Sequence, residues 1–265
     1  MTTVHVLLVR EDREYLRAPG STLETDLGVL DVPEDPEHGE VLETHLGESF
    51  TVRYPRGPDY FDHFERTGAP MMPRDVGLVL GETGAGRGDS VLDAGTGTGV
   101  LAAYLANAGA TVVTYERAPE FAETARENFA LAGLDDRIEV RGGDLTDDLD
   151  DLCAGGSDPS AADTSASDPT AATDGTPFDV LTLDTADAPS VVERAPELLV
   201  PGGVLAVYSP FVEATRDAVE AARDAGLDEI HARETIQRDL DVDDRGTRPS
   251  TRGVGHTGYI VFARR

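Results

Sequence analysis

The chain has no lysine, no tryptophan and one cysteine, Cys153, in 265 residues. A single thiol excludes an internal disulfide framework and fits a reducing compartment. No apolar run approaches the ~18 residues needed to span a bilayer. The opening Met1-Thr2-Thr3-Val4-His5 also lacks the basic-then-apolar order of a secretory signal. The expectation is a soluble, cytoplasmic protein with no membrane partner. Positive charge is scarce as well: with no lysine, 22 arginines face 51 acids, for a net charge of −29. Such a surface suits brine, where salt screens mutual repulsion to within a few Å. The periodic aliphatic runs exclude an acidic disordered chain.

Glycine is abundant, and it is concentrated where chemistry is expected. Ser90-Val91-Leu92-Asp93-Ala94-Gly95-Thr96-Gly97-Thr98-Gly99-Val100-Leu101 reads as strand, tight turn and helix. Glycines at such a turn let a ligand lie against the main chain beside the free N–H groups of a helix start. The dinucleotide fingerprint is G-x-G-x-x-G, whereas this turn is G-x-G-x-G with Asp93 two residues ahead. A carboxylate there suits an ammonium and repels a pyrophosphate. Glu116 follows Val112-Val113-Thr114-Tyr115 and is placed to take both hydroxyls of a ribose. Asp144, after Ile138-Glu139-Val140, and Asp184, after Val180-Leu181-Thr182-Leu183, repeat the pattern. Four strand ends with four acids point to a sulfonium cofactor, S-adenosylmethionine.

Residues 1–62 contain short alternating runs at Val4–Val9, Glu14–Arg17, Gly28–Val32 and Ser49–Tyr54, divided by turns, which predicts a small all-β, barrel-like domain. His38 and His45 read as surface turn residues. A junction at 63–89 carries Pro73-Arg74-Asp75, with Asp75 as a candidate cap for the short helix after it. From 90 to 265 strand and helix patterns alternate, which predicts a Rossmann-like α/β domain with a parallel sheet. Helices are expected over 101–108, 120–131 and 213–225, with Phe121, Ala125, Phe129 and Ala132 as core. Strands are expected at 111–115, 137–141, 178–183 and 203–208. Glu229–Gln237 and His256–Ala263 form a closing antiparallel pair. Residues 153–176 hold no large apolar side chain and read as a mobile insertion.

The glycine turn, Tyr115-Glu116, Asp184, Ala206-Val207-Tyr208-Ser209-Pro210 and the ending Gly255-His256-Thr257-Gly258-Tyr259 together resemble the tRNA (adenine-N1)-methyltransferases of archaea and bacteria. The resemblance covers nearly the whole chain, and with the acidic composition it implies a haloarchaeal source. It implies a homotetramer that uses S-adenosylmethionine to methylate N1 of T-loop adenines in tRNA, at positions 57 and 58 in archaeal members, with no metal. By position, Thr98, Gly99, Val100 and Leu101 would line the methionine end of the cofactor, beside Asp93, Gly95, Thr96 and Gly97. Glu116 would hold the ribose, Asp144 the adenine, and Asp184 would be the catalytic aspartate. Tyr208 and His256 fall on the substrate side. The family has an aromatic residue and a glutamine where Met72 and Ala69 stand here.

From His231 to Arg265, seven arginines outnumber five acids in a chain that is otherwise strongly negative. Arg245, Arg248 and Arg252 are therefore candidates for phosphate contact. Alternatives are a methyltransferase acting on protein or a small molecule, and a non-catalytic tRNA-binding subunit, whose mark would be a degraded glycine turn. A nicotinamide-dependent dehydrogenase is disfavoured by the turn spacing and Asp93.

Overall fold

The computed structural model describes residues 5–154 and 177–265. Most of the expected insertion therefore lies outside the described residues. The chain divides into two compact units, residues 1–64 with 131–133, and residues 65–130 with 134–265. Residues 65–89, read from sequence as a junction, are part of the second unit.

The first unit is β-rich. Strands β1 (Val6–Arg10), β2 (Arg13–Arg17), β3 (Thr22–Thr25), β4 (Gly28–Asp31), β5 (Val41–Glu43) and β6 (Ser49–Arg53) precede a short helix, α1 (Gly57–Asp62). An antiparallel sheet of order β2-β1-β6-β5 packs with the β3–β4 hairpin around Val6, Leu8, Leu23, Leu30, Phe50 and Val52. Strands β3 and β5 were not anticipated, being only three or four residues long and mostly exposed. His45 and His38 each accept a backbone N–H through Nδ1, from Val29 at 2.8 Å and Tyr54 at 3.1 Å, so both fasten turns.

The second unit opens with α2 (Pro73–Thr83), followed by β7 (Ser90–Ala94), α3 (Val100–Ala108), β8 (Thr111–Glu116), α4 (Pro119–Ala132), β9 (Ile138–Gly142) and α5 (Leu145–Ala154). Then come β10 (Phe178–Leu183), α6 (Ala188–Leu198), β11 (Leu199–Ser209), α7 (Val212–Asp224), β12 (Asp228–Glu234), β13 (Leu240–Asp243), β14 (Gly246–Pro249) and β15 (Tyr259–Arg264). Seven strands form one sheet in the order β12-β15-β11-β10-β7-β8-β9. The pairs from β11 through β9 are parallel, and β15 runs antiparallel to both β11 and β12. Buried on both faces, β7, β8, β10 and the second half of β11 read as largely apolar runs, which is why the sequence located them, whereas the edge strand β9 is only partly buried. Strand order reverses between β7 and β10, and in open α/β sheets ligands bind at the strand C-termini beside such a reversal.

Two local expectations are corrected. Asp75 does not cap α2: Pro73 begins the helix, Met72 is its N-cap without a side-chain bond, and Asp75 is buried in the first turn. Phe121 leaves the core and, half-buried, lines a cavity, whereas Ala125 and Phe129 are buried as expected. The β13–β14 hairpin between the two closing strands was also not foreseen. Among the described residues, no helix is long and apolar enough to cross a membrane.

Phe262, on β15 between two neighbouring strands, is 2% exposed and packs with Met71, Val76 and Val79. Replacing it by alanine is expected to cost about 3–5 kcal/mol of stability in urea unfolding. Val242→Ala, at a side chain that is 74% exposed, is expected to stay within ~0.5 kcal/mol. A Phe262→Ala loss as small as the control's would show that this part of the core is not packed as described.

Candidate active site

The glycine turn sits at the sheet reversal and is pinned on both sides. The N–H groups of Gly95 and Thr96 both donate to the Tyr115 carbonyl, at 3.0 and 3.2 Å, and the Asp184 N–H donates to the Ala94 carbonyl at 2.8 Å. Gly95 has φ +94°, and a Cβ there would lie 2.2 Å from the Asp184 carbonyl oxygen, so only glycine allows this approach. Gly97 serves differently. At φ +53°, its Cβ position meets nothing closer than 4.0 Å, which leaves the main chain open on that side.

The acids at the strand ends divide into distinct environments. Asp93 is 3% exposed and accepts hydrogen bonds on both oxygens, from Thr182 Oγ1 at 2.5 Å and Thr114 Oγ1 at 2.6 Å. Because Thr114 gives its proton to Asp93, the Thr96 hydroxyl, 2.6 Å away, donates to Thr114. Burial pushes the Asp93 carboxyl upward in pKa, and these hydroxyls partly offset the shift. Its charge is thus engaged by hydroxyls inside the sheet. Glu116 accepts the Gly97 N–H at 2.9 Å and the Ala118 N–H at 3.0 Å, tying the open glycine to the end of β8. Asp144 accepts from the Thr146 N–H at 2.9 Å and hydroxyl at 2.7 Å, which hold its carboxyl below the ordinary range.

Glu116, Asp144, Gly97 and Phe121 line a cavity of about 300 Å³ that Asp184 borders. A recess of about 50 Å³ along Thr96, Thr98, Gly99, Val100 and Leu101 also ends on Asp184, with Asp93 behind it. A third, more apolar cavity of about 270 Å³, walled by Pro189, Val207, Tyr208, Pro210 and Phe211, also reaches Asp184. Asp184 is open to these spaces by surface area, yet protein surrounds most of it and Asp93 lies close. Desolvation first, and the Asp93 charge second, raise its carboxyl to about 7.

The substrate-side candidates separate. Tyr208 lines the apolar cavity, and its hydroxyl donates to the Thr257 carbonyl at 2.7 Å. His256 sits between Glu234 Oε1 at 2.8 Å and the Pro210 carbonyl at 3.2 Å, and Glu234 above all raises its pKa. Arg245 and Arg248 lie on the β13–β14 hairpin and pair with its own Asp243 and Asp241, at 2.9 and 3.4 Å. Arg252 is exposed, and none of the three borders the cavities at Asp184.

Two residues at the site were not singled out from sequence. Asn128, 3% exposed on α4, donates Nδ2 to the carbonyls of Glu65 and Thr98, both at 3.0 Å, and accepts the Glu65 N–H at 2.9 Å. Its signal was present: an amide seven residues after Phe121 interrupts an apolar helical stripe. Arg117 spans from Asp144 at 3.4 Å to Asp187 at 2.9 Å, beside the larger cavity.

A family model described as a methyltransferase domain matches residues 85–239. A tRNA (adenine(57)-N(1)/adenine(58)-N(1))-methyltransferase of Methanocaldococcus jannaschii is 34% identical, covering 96% of this chain and 92% of its own. Among solved structures, a SAM-dependent O-methyltransferase from Thermotoga maritima superposes with a TM-score of 0.79 at 25% identity, covering 100% of this chain and 94% of that one. A tRNA (m1A58) methyltransferase from Aquifex aeolicus shares the fold with a TM-score of 0.72 at 22% identity, covering 99% of this chain and 96% of its own. With a methyltransferase domain over more than half its length and a curated relative matched almost end to end, the chain belongs to the tRNA (adenine-N1)-methyltransferase family of S-adenosylmethionine-dependent enzymes.

Proposed function

We propose that this enzyme methylates N1 of T-loop adenine in tRNA, at positions 57 and 58, with Asp184 stabilising the base as it becomes cationic. The observation that carries this reading is the place of Asp184, where the cavity of Glu116 and Asp144, the glycine-turn recess and the apolar cavity of Tyr208 all meet. S-adenosylmethionine fits the residues present. The open face of Gly97 leaves room for it against the main chain, Glu116 retains lone pairs for ribose hydroxyls, and Asp144 stands where the adenine would end. Thr98 to Leu101 would line its methionine end, with Asp93 bordering the same recess and bracing the turn through Thr114 and Thr96. When bound, this cofactor supplies a methyl carbon already activated by a sulfonium.

The remaining catalysis falls to the protein. Adenine N1 is a weak neutral nucleophile, and as it takes the methyl group positive charge spreads to the exocyclic N6. A carboxylate that accepts an N6–H bond gains strength as that charge grows, so it favours the transition state over the ground state. With its basicity raised, Asp184 can also accept a proton from N6 after the transfer. The apolar walls beside Tyr208 hold an extruded base in line with the methyl carbon. The same reading carries a homotetramer, which light scattering would resolve.

The primary test is methyl transfer to an unmodified tRNA transcript, mapped by mass spectrometry. In this assay kcat/KM for the free enzyme should fall as pH drops through about 7, because protonation removes the Asp184 carboxylate. Asp184→Asn should lower turnover about 10²–10³-fold and abolish that acid limb, with cofactor affinity retained. An unaltered pH profile in the variant would remove Asp184 from the mechanism. Glu116→Ala should weaken S-adenosylmethionine binding about 10–100-fold in calorimetry, the worth of hydrogen bonds to a charged group.

The charge of −29 belongs to the same proposal, as the surface of an enzyme that works in brine. Its melting temperature should rise steadily between 0.1 and 2 M KCl as the screening length shrinks from about 10 Å to under 3 Å. A flat or falling curve would contradict adaptation to salt.

A further inference from the structure

The segment Gly255–Thr257 is gripped by side chains from three elements, α2, β11 and β12. Asp75, 1% exposed, accepts from Thr257 Oγ1 on Oδ2 at 2.7 Å, while its Oδ1 has no protein partner among the described residues. Arg74 donates through Nη2 to the Gly255 carbonyl at 3.1 Å and to Thr257 Oγ1 at 3.0 Å. Its Nε stays 3.8 Å from Asp75, too far for a hydrogen bond. On the opposite side of Thr257, the Tyr208 hydroxyl donates to the carbonyl at 2.7 Å. One residue on, a Cβ at Gly258 would fall 2.4 Å from the Tyr208 ring, so the main chain lies directly against it.

A buried ion pair with an unsatisfied oxygen is a poor way to stabilise a fold, because desolvation offsets most of its attraction. Val76 and Val79 already hold α2 to the sheet through apolar contact with Ala206, Ile260 and Phe262. What the charged pair adds is direction. It fixes the Thr257 side chain, and the Thr257 carbonyl then draws the Tyr208 hydroxyl back, leaving the ring as a wall of the cavity that ends on Asp184. Burial, reinforced by the charges of Asp184 and Asp75, raises the Tyr208 phenol, which therefore remains a neutral donor.

We infer that Arg74 and Asp75 are positioning residues which, through Thr257, lock the Tyr208 ring as the wall against which the target adenine is held. The inference rests on the base entering that cavity. Thr257→Val keeps the shape of the side chain but severs its bonds to Asp75 and Arg74, whereas Tyr208→Phe severs the link on the other side. Each variant should lower kcat/KM for tRNA about tenfold, with S-adenosylmethionine affinity unchanged. The double variant should be no worse than either single one, because residues acting in one chain are non-additive. Multiplying losses, a fully active Thr257→Val, or a parallel loss of cofactor affinity would each overturn the inference. A wild-type enzyme that leaves tRNA unmethylated while binding the cofactor would instead overturn the reading of the base cavity, and the inference with it.

Discussion

The backbone hydrogen bond from the Asp184 N–H to the Ala94 carbonyl carries the pairing of β10 with β7 one residue past the strand end, where the sheet reverses its strand order. It brings the Asp184 backbone so close to Gly95 that no side chain fits between them. The carboxylate is thereby carried to a point that three recesses share. Its desolvation and its proximity to Asp93 follow from that seat, as does a proton affinity far above that of an ordinary aspartate.

The four strand-end acids perform different work because their surroundings differ. Asp93 accepts from hydroxyls on the neighbouring strands, Glu116 from backbone donors of the turn with lone pairs to spare, and Asp144 from Thr146. Asp184 differs from them in being desolvated by the protein around it while opening onto the apolar cavity. The proposed chemistry would rest on this carboxylate, the one of the four that lines all three recesses. By the inference drawn above, the Tyr208 wall would be set at longer range, by Arg74 and Asp75 acting through Thr257.

Much of this was legible in the sequence. Parallel strands buried on both faces leave apolar runs, and a strand-turn-helix with alternating glycines has few other readings, so β7 to β11 and the acids at their ends were placed correctly. Long-range polar contacts left no such trace. Asn128 meets Glu65 and Thr98, and Asp75 meets Thr257, across separations that no local pattern encodes. Asp75 looked like a helix cap because position and residue type agree with capping, but the interior offered it a stronger partner. Phe121 followed the apolar stripe of α4 and yet faces a cavity, since periodicity reports a face of the helix and not what lies against it. Arg245, Arg248 and Arg252 read as candidates for phosphate contact, whereas Arg245 and Arg248 already pair with aspartates on their own hairpin.

The most direct measurement is a crystal structure of the enzyme with S-adenosylhomocysteine and a T-loop oligonucleotide. The account predicts an extruded adenine between Tyr208 and Pro189, with N6 within hydrogen-bond distance of the Asp184 carboxylate and N1 facing the cofactor sulfur. A purine bound elsewhere, or an Asp184 turned away from it, would contradict the account.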